Sequence, residues 1–240
     1  MKHKSHDRVL ARLLVSIPLL LVLLCGMATA QETTQEDRIA ALKESMAASQ
    51  EALQHYEWTE TTVVTYDGNE VSRTQARCVH TSDGKVAKEP MGEPQEKKSK
   101  RGLRGRHAKK KKAQISDYME QVKALVATYV PPCPEKIQKC KDAGTISVEM
   151  VEAGKRVILR LADYNMPGDS IGIEVDLATN TALSYEVASY IGSASDAVNL
   201  DVHLDKLEDA TIYPAKISLE AKAEDITAEI LNSDYKASGN

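Results

Sequence analysis

The chain predicts an α+β fold, an antiparallel meander of about nine strands whose single apolar face is covered by two amphipathic helices. Three observations carry this expectation. From Thr145 onward apolar residues return at every second position, the period of a half-buried strand. Two earlier stretches repeat instead at three- and four-residue steps, the period of a helix with one buried stripe. The links between the period-two runs are short and marked by Gly154, Gly168 and the Asn180 region, residues that suit tight turns.

In chain order, the first helix is expected over about 36–56, where Ile39, Leu42, Met46, Leu53 and Tyr56 share a stripe. From Trp58 to Tyr66 Thr and Val dominate, which favours a strand. Asp67-Gly68 then turns the chain, because both residues tolerate the positive φ that hairpin turns demand. A second strand runs over about 70–80 and turns again at Asp83-Gly84. Residues 90–113 are rich in Pro, Gly and Lys with almost no apolar side chains, so a basic insertion, flexible at least in part, is expected there. Ile115, Tyr118, Met119, Val122, Leu125, Val126 and Tyr129 form the second helical stripe, which Pro131-Pro132 stops. Its start is not fixed by pattern, because Lys favours helix while four Lys at an N-terminus oppose the macrodipole. The later strands follow around 146–150, 157–161, 171–175, 183–187, 200–204, 217–219 and 226–231.

The first thirty residues read as an export signal. Lys2, Lys4, Arg8 and Arg12 give a cationic start, 13–25 an apolar run, and Ala28-Thr29-Ala30 a small-residue cleavage pattern. The run is shorter than the about 20 residues that span a bilayer, so a retained anchor is not expected. Leu24 is too bulky to precede a lipidated Cys25. The mature protein is therefore expected in the periplasm or outside the cell, as one domain over 31–240.

Removing 1–30 leaves 27 basic and 34 acidic residues, a formal charge of −7. The division is uneven, since Lys97, Lys98, Lys100, Arg101, Arg104, Arg106, Lys109, Lys110, Lys111 and Lys112 occupy a block that contains no acid. Such a block attracts anionic partners, which at a cell envelope means lipid headgroups and acidic polymers, or it solubilises a loop lying against the acidic body. Nucleic acid would also bind it by counterion release, but export removes that partner in vivo. The interior must be built without Phe, from aliphatic residues, nine Tyr and one Trp.

Cys78, Cys133 and Cys140 remain after cleavage, an odd number where disulfides persist. If 134–143 is helical, Cys133 and Cys140 stand about 10 Å apart along its axis, beyond the roughly 4.4–6.8 Å of a disulfide. Cys78 would then pair with Cys133 or Cys140. If the prolines instead begin a loop that folds back, the local bridge is open.

Signatures of catalysis are missing: no Gly-x-Ser-x-Gly, His-Glu-x-x-His, phosphate-binding loop or Cys-x-x-Cys occurs. Asp201, His203 and Asp205 alternate with Leu200, Val202 and Leu204, a solvated strand face in which a metal site would need further ligands. Cys78 and His80 share a face without an orienting third group. No enzyme activity, cofactor or metal is expected. Tyr56 and Trp58 stand where helix gives way to strand, as core anchors or as the lining of a ligand pocket.

This order of elements, with Tyr56-Glu57-Trp58-Thr59 opening the strands and the segment Leu207-Glu208-Asp209-Ala210-Thr211-Ile212-Tyr213-Pro214-Ala215-Lys216 near the end, resembles the periplasmic lipoprotein-carrier superfamily, that of the outer-membrane lipoprotein-sorting chaperone. It is also similar to a group of exported bacterial proteins for which no activity is implied. The resemblance implies a half-open antiparallel barrel capped by helices, with an apolar groove that receives acyl chains. Tyr56, Trp58, Met119 and Val122 are the groove candidates, and a lipid or lipidated protein is the expected partner. The runner-up is an adaptor that docks its basic loop on an acidic protein or an anionic surface.

Overall fold

Among the residues described by the computed structural model, 35–81, 84–92 and 103–238, ten strands form one open antiparallel sheet. A helix, α1 (Gln35–Leu53), leads into a meander of β1 (Tyr56–Tyr66), β2 (Asn69–His80) and β3 (Val86–Pro90). Two helices follow, α2 (Leu103–Val126) and α3 (Pro134–Ala143). A second meander then runs through β4 (Ile146–Glu152), β5 (Arg156–Ala162), β6 (Ser170–Asp176), β7 (Thr181–Tyr190), β8 (Ala197–Lys206), β9 (Ile212–Ala221) and β10 (Ile226–Ala237). The spatial order is β3-β2-β1-β10-β9-β8-β7-β6-β5-β4. Every neighbour but one is also the next strand in sequence; the exception joins the first strand to the last, with Tyr56 opposite Ala237 and Tyr66 opposite Ile226.

The expected turn chemistry is present at Asp67 and Gly68, whose φ angles of 49° and 69° close the β1–β2 hairpin. Pro at the first turn of α3 and Gly144 in the left-handed region at its end (φ 71°) set that helix's two limits.

Alternation places one apolar face towards the helices. Val157, Leu159 and Leu161 on β5, Ile171, Ile173 and Val175 on β6, and Val198, Leu200, Val202 and Leu204 on β8 are all buried there. Ile39, Leu42 and Met46 of α1, Tyr118 and Val122 of α2, and Ile137 and Cys140 of α3 belong to the same core. Tyrosines supply the bulk that Phe would have given, and their hydroxyls need partners. Tyr129 is fully buried and donates to Asp169 Oδ2 at 2.5 Å, with Ser189 Oγ 2.8 Å away. Tyr118 donates to Asp196 at 2.6 Å, and Tyr164 accepts from the Cys133 amide at 2.7 Å.

The opposite face of β4–β7 carries charge. Arg160 reaches both Glu149 (3.4 Å) and Glu186 (3.7 Å). It does so across Gly172, where an added Cβ would lie 3.4 Å from the guanidinium.

Several expectations change. The ten strands exceed the nine expected because β3 was not anticipated; five residues with Pro90 at the end carry almost no alternation. Three helices are present rather than two, since α3 is formed as well. The first helix ends at Leu53, and Tyr56 opens β1 instead of closing the helix. The stretch 90–113 is not all loop, because α2 already begins at Leu103. Consecutive Lys, Arg and Ala residues have good intrinsic propensity, and the helix propagates back from its packed half. The expected export segment and Lys97, Lys98, Lys100 and Arg101 lie outside the described residues. No helix of the described residues is long and apolar enough to cross a membrane.

Candidate functional site

Among the described residues, α1 contacts mainly β7 and β9 and α3 mainly β5, and no helix makes comparable contact with β1, β2, β3 or β10. Val64 and Tyr66 at the end of β1 pack against the core, so alternation places Tyr56, Trp58 and Glu60 on that same face, further along the strand. Trp58 is opposite Cys78 of β2, which is opposite Lys88 of β3. On the other side, the β1–β10 register shifts between Glu57 and Thr59, and Asp234 takes a positive φ of 54°. This bulge brings Tyr235 beside Trp58.

The result is a half-buried aromatic cluster. The Trp58 and Tyr235 rings stack at 5.6 Å and 8°. Tyr213 meets Tyr235 at 4.3 Å, Tyr56 approaches it edge-on at 6.4 Å, and Trp58 also meets the His80 ring at 5.4 Å. The Tyr56 hydroxyl donates to Asp209 Oδ2 at 2.8 Å, tying the cluster to the β8–β9 turn. Glu60 accepts from Lys88 Nζ at 2.6 and 2.7 Å.

Three polar atoms around these rings are shielded from solvent yet have no hydrogen-bond partner: Trp58 Nε1, His80 Nδ1 and Asn232 Oδ1. Asn232 is the cross-strand neighbour of Glu60. Leaving such atoms unmade costs on the order of 1–3 kcal/mol each, so three together mark a place where stability has been conceded.

Electrostatics leave the thiol and the imidazole of the cluster in their neutral forms. Burial, assisted by Glu60, pushes the Cys78 thiol up to about 11, against the opposing pull of Lys88. Burial lowers the His80 imidazole, with a backbone hydrogen bond to Gly84 opposing. A protonated thiol beside a neutral imidazole is a poor nucleophile. The Tyr56 hydroxyl is raised chiefly by its hydrogen bond to Asp209. The Asp209 carboxyl is held low, first by the Thr211 amide.

The four groove candidates do not come together. Tyr56 and Trp58 belong to the aromatic cluster, whereas Val122 is fully buried in the helix-covered core and Met119 packs at its margin. That core is filled: Leu42, Tyr129, Ile137, Leu161, Ile171 and Ile173 are among its largest fully buried side chains. Two hollows among the described residues are open and lined mainly by polar residues. One, of about 470 Å3, is lined by Lys110, Gln114, Asp117, Tyr118, Gln121 and Glu224. The other, of about 260 Å3, is lined by Thr65, Asp67, Glu220, Lys222, Asp225 and Thr227 among others.

Sequence reasoning missed Tyr235, because Asn232-Ser233-Asp234 reads as a turn and the expected strand stopped near 231. Tyr213 lies within the segment Leu207–Lys216 and carries no pattern of its own.

Of the cationic block, Arg104, Arg106, Lys109, Lys110, Lys111 and Lys112 lie on the first turns of α2, and Lys110 is exposed. The first residue of α2 that packs against the core, among those described, is Ile115.

The three cysteines lie apart in the structure. Cys78, Cys133 and Cys140 are free thiols. Cys78 is buried under the aromatic cluster on β2, while Cys133 and Cys140 sit before and near the end of α3, where Cys133 Sγ donates to Glu135 at 2.9 Å. Asp201, His203 and Asp205 are exposed on β8. Among the described residues no three His, Cys, Asp or Glu side chains converge as metal ligands.

Compared with known proteins, the chain matches no protein-family model and no curated protein. Among solved structures it is similar to a DUF1329 family protein from Desulfovibrio piger, at 11% identity and a TM-score of 0.40, over 83% of this chain and 93% of that one. It is likewise similar to a LolA superfamily protein from Nitrosomonas europaea, at 9% identity and a TM-score of 0.38, over 83% of this chain and 94% of that one.

Proposed function

We propose that the protein is an exported, non-catalytic envelope protein that binds a lipid, lipoprotein or other amphiphile, and that it does so on the aromatic face of β1, β2 and β10 rather than beneath the helices. One observation carries this reading. The helix-covered half of the sheet buries its apolar side chains, while the uncovered half presents half-buried rings flanked by the orphaned Trp58 Nε1, His80 Nδ1 and Asn232 Oδ1. Rings accept an acyl chain or a planar group by dispersion, and unpaired donors and acceptors orient a headgroup.

Trp58 is the single tryptophan of the chain, so its fluorescence reports on this face alone. Titrating lysophosphatidylglycerol below its micelle concentration should shift and saturate the emission. Tyr235→Ala should weaken that binding at least about tenfold, the scale of one lost aromatic contact, while Met119→Ala leaves it within about twofold. Unchanged emission throughout the titration would exclude the reading.

A second reading is favoured by α2 itself. Its cationic first turns precede Ile115, where packing against the core begins, so they are free to lie on an anionic surface. Binding to phosphatidylglycerol vesicles should fall steeply with salt and be lost when Lys109–Lys112 are replaced by Gln. Equal binding by that variant removes the surface reading.

A further inference from the structure

The open sheet has two edges, and they are built differently. β3 is five residues long, carries Lys88 and Glu89, and ends on Pro90, all features that discourage a further strand from adding. β4 contains no Pro and no Lys. It holds three of the seven large apolar side chains that the described residues expose: Val148 at 49%, Met150 at 63% and Val151 at 45%.

The phase of its ladder decides what the free side offers. The Ala162 amide donates to the Thr145 carbonyl at 3.1 Å, so Thr145 faces β5. In an antiparallel ladder the next residues alternate, turning the amides and carbonyls of Ile146, Val148 and Met150 outward. The side chains of these same residues continue the apolar face of the sheet, opposite Leu161, Leu159 and Val157 of β5. Unpaired backbone groups and uncovered apolar side chains therefore coincide on one short strand.

We infer that this edge pairs with β4 of a second copy of the chain, antiparallel about a two-fold axis at Val148. The sequence Ile146-Ser147-Val148-Glu149-Met150 is self-complementary in that register. Val148 meets Val148, Ile146 meets Met150 in both directions, and Glu149 meets Ser147, so no carboxylate faces its own copy. Centring on Glu149 would oppose two carboxylates. About six backbone hydrogen bonds would form, and each subunit would meet the same patch of the other. A contact of one strand pair is smaller than the roughly 1,200–2,000 Å2 of stable complexes, so the dimer is weak and concentration-dependent. The bulge between Met150 and Glu152 ends the regular edge and limits pairing to this stretch.

Sedimentation velocity on the mature protein from about 1 to 300 μM tests this, in the range expected of a small interface. A reversible dimer should appear, and Val148→Lys should weaken it at least tenfold by placing like charges on the axis. Met150→Pro should do the same, because it removes an outward amide and leaves the β4–β5 ladder whole. Far-UV circular dichroism should show both variants folded. Val148→Cys should form a covalent dimer under mild oxidation, since directly opposed residues lie about 5.5 Å apart, whereas Met150→Cys and the unmodified protein should not. A monomer at every concentration overturns the proposal. So does a dimer that Val148→Cys fails to lock, or one that both edge variants leave intact, because either places the contact elsewhere; capture of an unrelated extended peptide by a monomeric chain has the same consequence.

Discussion

The two halves of the sheet share one backbone pattern and differ in almost everything attached to it. In the helix-covered half, β6 buries Ile171 and Ile173 completely. In the other half, the first seven residues of β2 are exposed, and β1, β2 and β3 are held by cross-strand pairs and by ion pairs such as Arg77 to Glu57 and Lys88 to Glu60. Exposed pairs of this kind contribute about 0–1 kcal/mol each, whereas each buried aliphatic side chain contributes about 1.5–3 kcal/mol. Buried apolar contact is thus concentrated under the helices, and the unpaired Trp58, His80 and Asn232 atoms lie on the half with less of it. The difference teaches where to look for binding: on the half that the helices leave alone.

The comparison breaks most visibly at the core. Leu42→Ala, on α1 and fully buried, should cost about 2–5 kcal/mol in urea unfolding, while Tyr235→Ala on the uncovered half should cost distinctly less. Equal losses would mean that stability is not divided as described. Next in size is Tyr129→Phe, which takes one donor from the buried Asp169 but leaves the Asn165 and Met166 amides at 3.0 and 2.8 Å. A loss of about 1–3 kcal/mol is expected, read from the same unfolding curves.

Alkaline pH separates the Cys78 thiol from the buried tyrosines of both halves. Burial raises Tyr118, Tyr129 and Tyr185 of the covered half and Tyr235 of the other, and pushes Tyr164 up to about 12. A group whose folded pKa is raised contributes stability that is whole below its unfolded pKa and is lost as pH climbs towards the folded value. The tyrosine contribution should therefore be intact at pH 9 and decline above pH 10. Cys78, on the uncovered half, moves from 9.0 to about 11, so its contribution should decline earlier. Cys78→Ala should flatten the urea midpoint between pH 9 and 10 and leave the later decline in place; a midpoint unaffected by pH up to 11 would contradict both assignments.

The smallest effect is expected at Gly172→Ala. The new Cβ would sit 3.3 Å from Ile158 Cγ2 and 3.4 Å from the Arg160 guanidinium, pushing Arg160 away from Glu186. Because that ion pair is exposed, the cost should stay near or below about 1 kcal/mol, measurable as a small shift of the thermal midpoint.

Period-two alternation in 157–161, 171–175 and 200–204 made the covered half legible in the sequence, together with the stripes of α1 and α2, since burial on one face leaves a direct trace in residue order. Other features leave no such trace. The pairing of β1 with β10 joins residues at opposite ends of the chain, and nothing local specifies it. Tyr235 reaches Trp58 only through the bulge at Asp234, which looks like a turn when read alone. Val122 was expected to line an apolar groove, and in the structure it is buried beside Tyr129 and Ile137 in the core, an arrangement that depends on how three elements meet. Poly-lysine spacing gave no helical stripe for the start of α2, although the residues themselves permit helix.

The union of β1 with β10 also orders events in time. Tyr56–Tyr66 cannot gain its second neighbour until Ile226–Ala237 has been synthesised, so a ribosome that has released most of the chain still holds an unfinished sheet. Long-range closure of this sort is slow compared with local hairpins. The sheet is therefore completed last, at the seam between its opening and closing strands.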